Sequence, residues 1–171
     1  MSQSIWLSQL NQSDPEIQRE ALRALAAEER VEGLAIACLN CLASDDADVR
    51  TWASEALGSS VAVCEAELDA VVAYLSPDVA VAVSRDQAYW AATILGRLAH
   101  PRMASPLVAL ATNSGDARLD VIRDRAIRSL TRLEVPPAEC LSTEEIDRLK
   151  QMIQSETDTR RATIAKRWLD P

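Results

Sequence analysis

The sequence predicts an all-α fold of stacked helical pairs, on three observations. Its composition is helix-rich: 171 residues with no Phe, only four Gly, and apolar residues that are mostly Ala, Leu, Val and Ile, the first two at the favourable end of the helix scale. A motif of about twelve residues recurs along the chain, and a period of 20 to 50 residues marks stacked repeats. Between successive copies lies a second apolar stripe at helical spacing.

A first helix is expected around Ile5–Leu10. The first motif copy, DPEIQREALRAL (14–25), matches DADVRTWASEAL (46–57) through Asp14/Asp46, Ile17/Val49, Ala21/Ala53 and Leu25/Leu57. QAYWAATILGRL (87–98) continues the series, aligning Trp52 with Trp90, Ala53 with Ala91, Leu57 with Leu95 and Gly58 with Gly96. VIRDRAIRSLTRL (121–133) is a fourth copy, with Ile122, Arg123, Ala126 and Leu130 in register. A degenerate fifth, TRRATIAKRWL, puts Ile164 and Trp168 in the Ala and Leu slots. Each copy spaces its apolar residues as one face of a helix.

The intervening stripes are Val31, Leu34, Cys38, Cys41 and Leu42, then Cys64, Leu68, Val71, Val72 and Leu75. A shorter one follows at Leu107, Leu110 and Ala111, and a last at Ile146, Leu149, Met152 and Ile153. Ser13 with Glu16, and Ser142 with Glu145, have capping-box spacing. Pro15 and Pro106 suit a first helical turn, where a missing N–H costs nothing. Gly58 and Gly96 are expected to end equivalent helices, while residues 113–116 and the Pro136–Pro137 pair separate helical pairs. The Val79–Val83 stretch, after Ser76 and Pro77, is expected to add a turn or two to the third motif helix.

The string DxxVRxxAxxAL, clearest as Asp46, Val49, Arg50, Ala53, Ala56 and Leu57, resembles the HEAT-like repeat family. The resemblance implies a right-handed α-α superhelix, a solenoid of about five helical pairs. Motif helices would form its convex side and second helices its concave side. The repeats would fall at 13–44, 45–76, 77–114, 115–155 and 156–171, after a capping helix in 1–12, all in a single solenoid over 1–171. The Arg slot holds Gln18 in the first copy and Ala88 in the third, so an Asp-to-Arg ladder between neighbours is expected to break there.

The chain carries a formal net charge of −8, and residues 1–83 hold 14 acids against four arginines while 84–171 hold 12 acids against 14 bases. A long polyanion is repelled by the whole, so nucleic acid is not the expected partner. No apolar run approaches the roughly 18 to 20 residues of a membrane span, and the opening MSQSIWLSQL has no basic n-region or apolar h-region. A cytoplasmic monomer that does not engage a membrane is expected.

Groupings that carry chemistry are sparse. His100, the lone histidine, falls between helices and reads as a helix-end residue. Cys38 and Cys41 form a CxxC, but both lie on a core stripe with no second CxxC. Asp45, Asp46 and Asp48 lack the Gly and distal Glu of an EF-hand-type loop and read as an acidic helix start. No catalytic, cofactor or metal residues are therefore assigned, and the expected role is a non-enzymatic scaffold or adaptor.

Its partner would be another protein with a basic or amphipathic segment, laid on a concave face with Ile36, Asn40, Ala70 and Tyr74 on its floor and the carboxylates Glu67 and Asp69 at its rim. Trp52 and Trp90, in one slot of successive copies, either seal repeat seams or form a binding ridge. Arg118, Arg125 and Arg132, spaced by seven, either form a solvated edge or hold phosphate or an acidic peptide. The family resemblance also implies two rival roles: a phycobilin-lyase-like, chromophore-handling protein, and a HEAT-like DNA-binding or glycosylase protein.

Overall fold

The computed structural model of the protein describes residues 2–76, 83–113, 120–156 and 158–169. It is all-helical: the described residues form eleven α-helices, two short 3-10 turns and one pair of two-residue strands. The chain divides into two compact units, Met1–Ala73 and Tyr74–Pro171. Among the described residues, no helix is long and apolar enough to cross a membrane.

The first unit holds α1 (Gln3–Leu10), α2 (Pro15–Ala26), α3 (Ala35–Cys41), α4 (Ala47–Ser59) and α5 (Leu68–Ala73). The two motif helices, α2 and α4, pack on each other, and α3 packs on both α4 and α5. Ala21, Leu25, Val49, Ala53 and Leu57 are buried, so the motif stripe is the packed face.

The α2 start differs from the Ser13–Glu16 capping box expected. Asp14 is the cap, its carboxylate accepting from Glu16 N at 2.9 Å. Pro15 occupies the first helical position and makes Asp14 the half-in residue whose side chain reaches the free N–H groups. Asp46 repeats this on α4, accepting from Val49 N at 2.9 Å.

The second stripe is also corrected at its ends. Val31 is not helical: strand β1 (Val31–Glu32) pairs in parallel with β2 (Val61–Ala62), Val31 opposite Val61. The tails of α2 and α4 run side by side there, and their backbones bond to each other. Gly33, at φ 78°, then turns the chain into α3 in a left-handed conformation that favours glycine. Cys64 precedes a 3-10 turn, Glu65–Glu67, which leads into α5.

The Arg slot has a role that no side-chain ladder describes. Gln18 Nε2 donates to the carbonyls of Leu10 and Gln12 at the end of α1, at 3.0 and 2.7 Å. Arg50 Nη1 donates to those of Ser44 and Asp45, just beyond α3, at 2.7 and 2.8 Å. In both copies the slot satisfies carbonyls left open where the preceding helix stops.

The second unit contains α6 (Arg85–Leu98), α7 (Ala104–Thr112), α8 (Asp120–Leu130), α9 (Pro137–Cys140), α10 (Thr143–Ser155) and α11 (Thr159–Leu169). Helix α8 is central, packed by α6, α7 and α11, while α10 packs on α7 and α11. Ser142 and Glu145 form the expected capping box, and Ser84 with Gln87 forms one that the sequence reading passed over. In the Arg slot Arg123 donates to Ala111 O at 3.1 Å, and its guanidinium also pairs with Glu156 at 3.0 Å and Asp120 at 3.2 Å.

Gly96 does not end its helix. It sits inside α6, which runs to Leu98 and stops at Ala99 in a left-handed conformation, φ 52°. A Cβ on Gly96 would stand 2.2 Å from Ser129 Oγ, so this glycine lets α8 approach α6. Gly58 likewise lies within α4, one residue before its end. In the fifth copy Ala165 and Trp168 are buried while Ile164 is only half-buried, moving the small-residue contact one position on. The expectation for Val79–Val83 lies outside the described residues except at Val83, and Arg118 lies outside them too.

Candidate functional site

The residues expected to line a binding face in the first unit are only partly free to do so. Ile36 is half-buried on α3, and Asn40, Asp69 and Ala70 are exposed. Glu67 turns inward: its carboxylate accepts from Ile36 N, in the first turn of α3, at 3.3 Å and from the Cys64 thiol at 3.5 Å. A carboxylate at a helix N-terminus is well placed electrostatically, and it is spent on the fold instead of the rim. Trp52 is half-buried on α4, with the Arg23 guanidinium 5.9 Å from its ring centre.

The CxxC pair is core. Cys38 and Cys41 are buried, and burial pushes both thiols up, that of Cys41 to about 11; a nucleophilic or metal-binding thiolate needs the opposite shift. His100 caps the 3-10 turn Pro101–Met103, its Nδ1 accepting from Arg102 N at 3.2 Å. Asp46 is a helix cap and Asp48 pairs with Arg19 at 3.4 Å. Among the described residues, no group of three or more His, Cys, Asp or Glu is placed to hold a metal ion.

In the second unit Tyr74 is half-buried, and burial pushes its phenol up. Trp90 is half-buried on α6 and meets Tyr89 edge to face at 5.6 Å. The arginines carry the chemistry. Arg125, Arg128 and Arg132 follow one edge of α8 and the turn after it, because residues three, four and seven apart share a helix face. The edge borders a cavity of about 620 Å³, closed on its other side by Ile164, Arg167 and Trp168 of α11. Arg132 also lines an adjoining hollow of about 600 Å³ with Arg97 and Glu134.

Of these, Arg128 has a carboxylate partner, Asp124 Oδ2 at 2.7 Å, and that bond holds its guanidinium above the ordinary value. Arg125 instead meets Tyr89, donating to its hydroxyl at 2.8 Å with the guanidinium 4.8 Å from the ring centre. Among the described residues, no carboxylate lies within ion-pair distance of Arg125, Arg132 or Arg167. Like charge accumulates as a result. Desolvation, then the nearby Arg132 and Arg125, hold the Arg97 guanidinium below its usual range.

Two donors are left over in the same place. Arg125 Nε and Trp168 Nε1 are buried without a hydrogen-bond partner. Each such orphan costs about 1–3 kcal/mol, and buried groups of this kind call for an explanation. An anion lodged between α8 and α11 would offset the repulsion among the arginines.

Sequence reasoning found Arg125 and Arg132 but missed Tyr89, Arg97, Arg167 and Trp168 as companions. One signal was available. With Leu95 aligned to Leu130, Arg97 and Arg132 fall in the same slot, two residues on, and Arg125 takes the slot of Trp52 and Trp90. No family model matches the chain, and no curated protein matches it. What the fold and site define is therefore a class: an all-α protein of packed helix pairs with an arginine-lined, tryptophan-backed pocket.

Proposed function

We propose that the protein is a non-enzymatic adaptor of HEAT-like repeats, each unit a short stack of helix pairs, which captures an acidic segment of a partner protein on the α8–α11 pocket. The observation that carries this is the set of three guanidinium groups, Arg125, Arg132 and Arg167, gathered around one cavity with no carboxylate among the described residues at ion-pair distance from them. Arginine is the residue suited to paired recognition of carboxylate and phosphate oxygens. Buried Trp168 adds the kind of aromatic anchor found at binding hot spots.

This moves the binding face away from the acidic rim expected from sequence, since the Glu67 carboxylate is bonded to α3. The pocket also selects a short acidic stretch over a long polyanion, because the whole chain carries −8 and repels extended negative charge. Packing of motif helix on motif helix within each unit supports the repeat assignment.

The test is binding of the full chain to short acidic and short basic peptides, followed by fluorescence anisotropy at about 50 and 300 mM salt, a range over which exposed charges become screened. Acidic peptides should bind, more weakly at high salt, and Arg132→Glu with Arg167→Glu should abolish it. Preferential capture of basic peptides, or acidic binding untouched by the charge reversals, would refute the pocket as the site.

A further inference from the structure

The geometry points to a phosphorylated side chain, within an acidic peptide segment, as the group the α8–α11 pocket is built to hold; this deepens the acidic-partner proposal and rests on it. A carboxylate brings one negative charge and two oxygens, which a single arginine fork can engage as a bidentate pair. The pocket offers more than that. Arg125, Arg132 and Arg167 bring three charges to one cavity, with no carboxylate among the described residues at ion-pair distance, while a phosphomonoester carries about −1.5 to −2 and three acceptor oxygens.

The lining of the pocket is also held in place. Arg125 is already fixed on one side, its Nη2 held by Tyr89 at 2.8 Å, so the guanidinium is pre-oriented while its Nε stays buried and unpaired. Trp168 is 94% buried, lines the same cavity, and its indole N–H is the second unpaired donor. Ile164 and the Trp168 ring supply an apolar wall on one side of the cavity. The cavity, at about 620 Å³, falls in the range of roughly 300–1,000 Å³ usual for ligand sites, ample for a phosphorylated side chain with part of its flanking backbone.

The experiment uses the full chain and four probes: an acidic peptide with one phosphoserine, the same peptide with glutamate at that position, inorganic phosphate, and a short oligothymidylate. Affinities come from calorimetry, and the Trp168 indole N–H is followed by NMR. The phosphoserine peptide should bind about tenfold more tightly than the glutamate peptide. It should shift the Trp168 N–H resonance, as inorganic phosphate should more weakly. Arg132→Gln and Arg167→Gln, both at exposed positions, should each lower phosphopeptide affinity about tenfold with an unchanged melting curve, whereas Lys150→Gln on α10 should leave it unaltered.

Equal affinity for the two peptides, both lost in the arginine variants, would overturn the phosphoryl assignment and leave the acidic-partner proposal standing. Failure of both peptides to bind would overturn the two together. Tighter binding of the oligothymidylate than of the phosphopeptide would reassign the pocket to nucleic acid.

Discussion

Gly96→Ala should destabilise the second unit, although alanine is ordinarily the better residue inside a helix. A Cβ at Gly96 would lie 2.2 Å from Ser129 Oγ, 2.5 Å from its Cβ and 3.0 Å from its Cα. The hydroxyl is not free to swing aside, since it donates to Ala92 O at 2.8 Å in a buried position. Even a rotated hydroxyl would leave the two Cβ atoms about 1 Å too close, so α6 and α8 must part. Overpacking of this kind costs about 1–3 kcal/mol, and loss of the Ser129 bond about 1 more. Against that stands about 1 kcal/mol from replacing a helical glycine. The net is a loss on the order of 1–3 kcal/mol, which for a unit of this size lowers Tm by roughly 5–15 °C. Thermal melts followed by circular dichroism measure it. Adding Ser129→Gly removes the opposing Cβ and should restore part of the loss. A Tm that rises or stays level with Gly96→Ala, or no recovery in the double variant, would refute close approach as the reason for this glycine.

Two further perturbations probe the second unit. Arg123→Met strips Glu156, whose side chain is only 6% exposed, of its 3.0 Å partner, leaving Arg161 at 3.6 Å; urea unfolding should show a loss of about 3–5 kcal/mol, with part restored by adding Glu156→Leu, and a loss below about 1 kcal/mol would mean that the pair is dispensable. Glu145 is held below its ordinary 4.5, first by the hydrogen bond from Ser105. Its charged form is thus favoured by folding, and the stability this contributes is present above the usual carboxylate range and lost as pH falls through the lowered value. The stability gap between the protein and Glu145→Gln should therefore be widest near neutral pH and close in acid, and a gap constant with pH would contradict the sign.

Helices were legible because their signal is repeated in side chains. Four motif copies placed α2, α4, α6 and α8, while Pro15 marked the start of α2 and the Ser142–Glu145 box that of α10. The β1–β2 pair was not legible, since its bonds run between backbones and Val31 matches a helical stripe as well as a strand. Gly96 was misread for a related reason: a glycine near a helix end looks like a stop, and only Ser129, 33 positions on, shows that it is a point of contact. The pocket needed α8 and α11 brought together, and Trp168 was hidden by occupying an ordinary core slot of the weakest copy. Glu67 was read as a rim charge because periodicity gives a direction but not a hydrogen bond across to the neighbouring α3.

The interlock formed by Gln18, Arg50 and Arg123 has a bearing on how such a chain can change over generations. Each side chain grips a main-chain carbonyl at or just beyond the end of the preceding helix, and a main-chain carbonyl is the same whatever residue bears it. At Gln18 and Arg50 a junction of this type imposes no matching mutation on its neighbour, and glutamine and arginine already serve interchangeably there, whereas Arg123 is also tied to Glu156 and Asp120. Copies joined in this way can be duplicated, deleted or exchanged without compensating changes across the seam. The same indifference lets the copies drift apart in sequence while the joints stay intact.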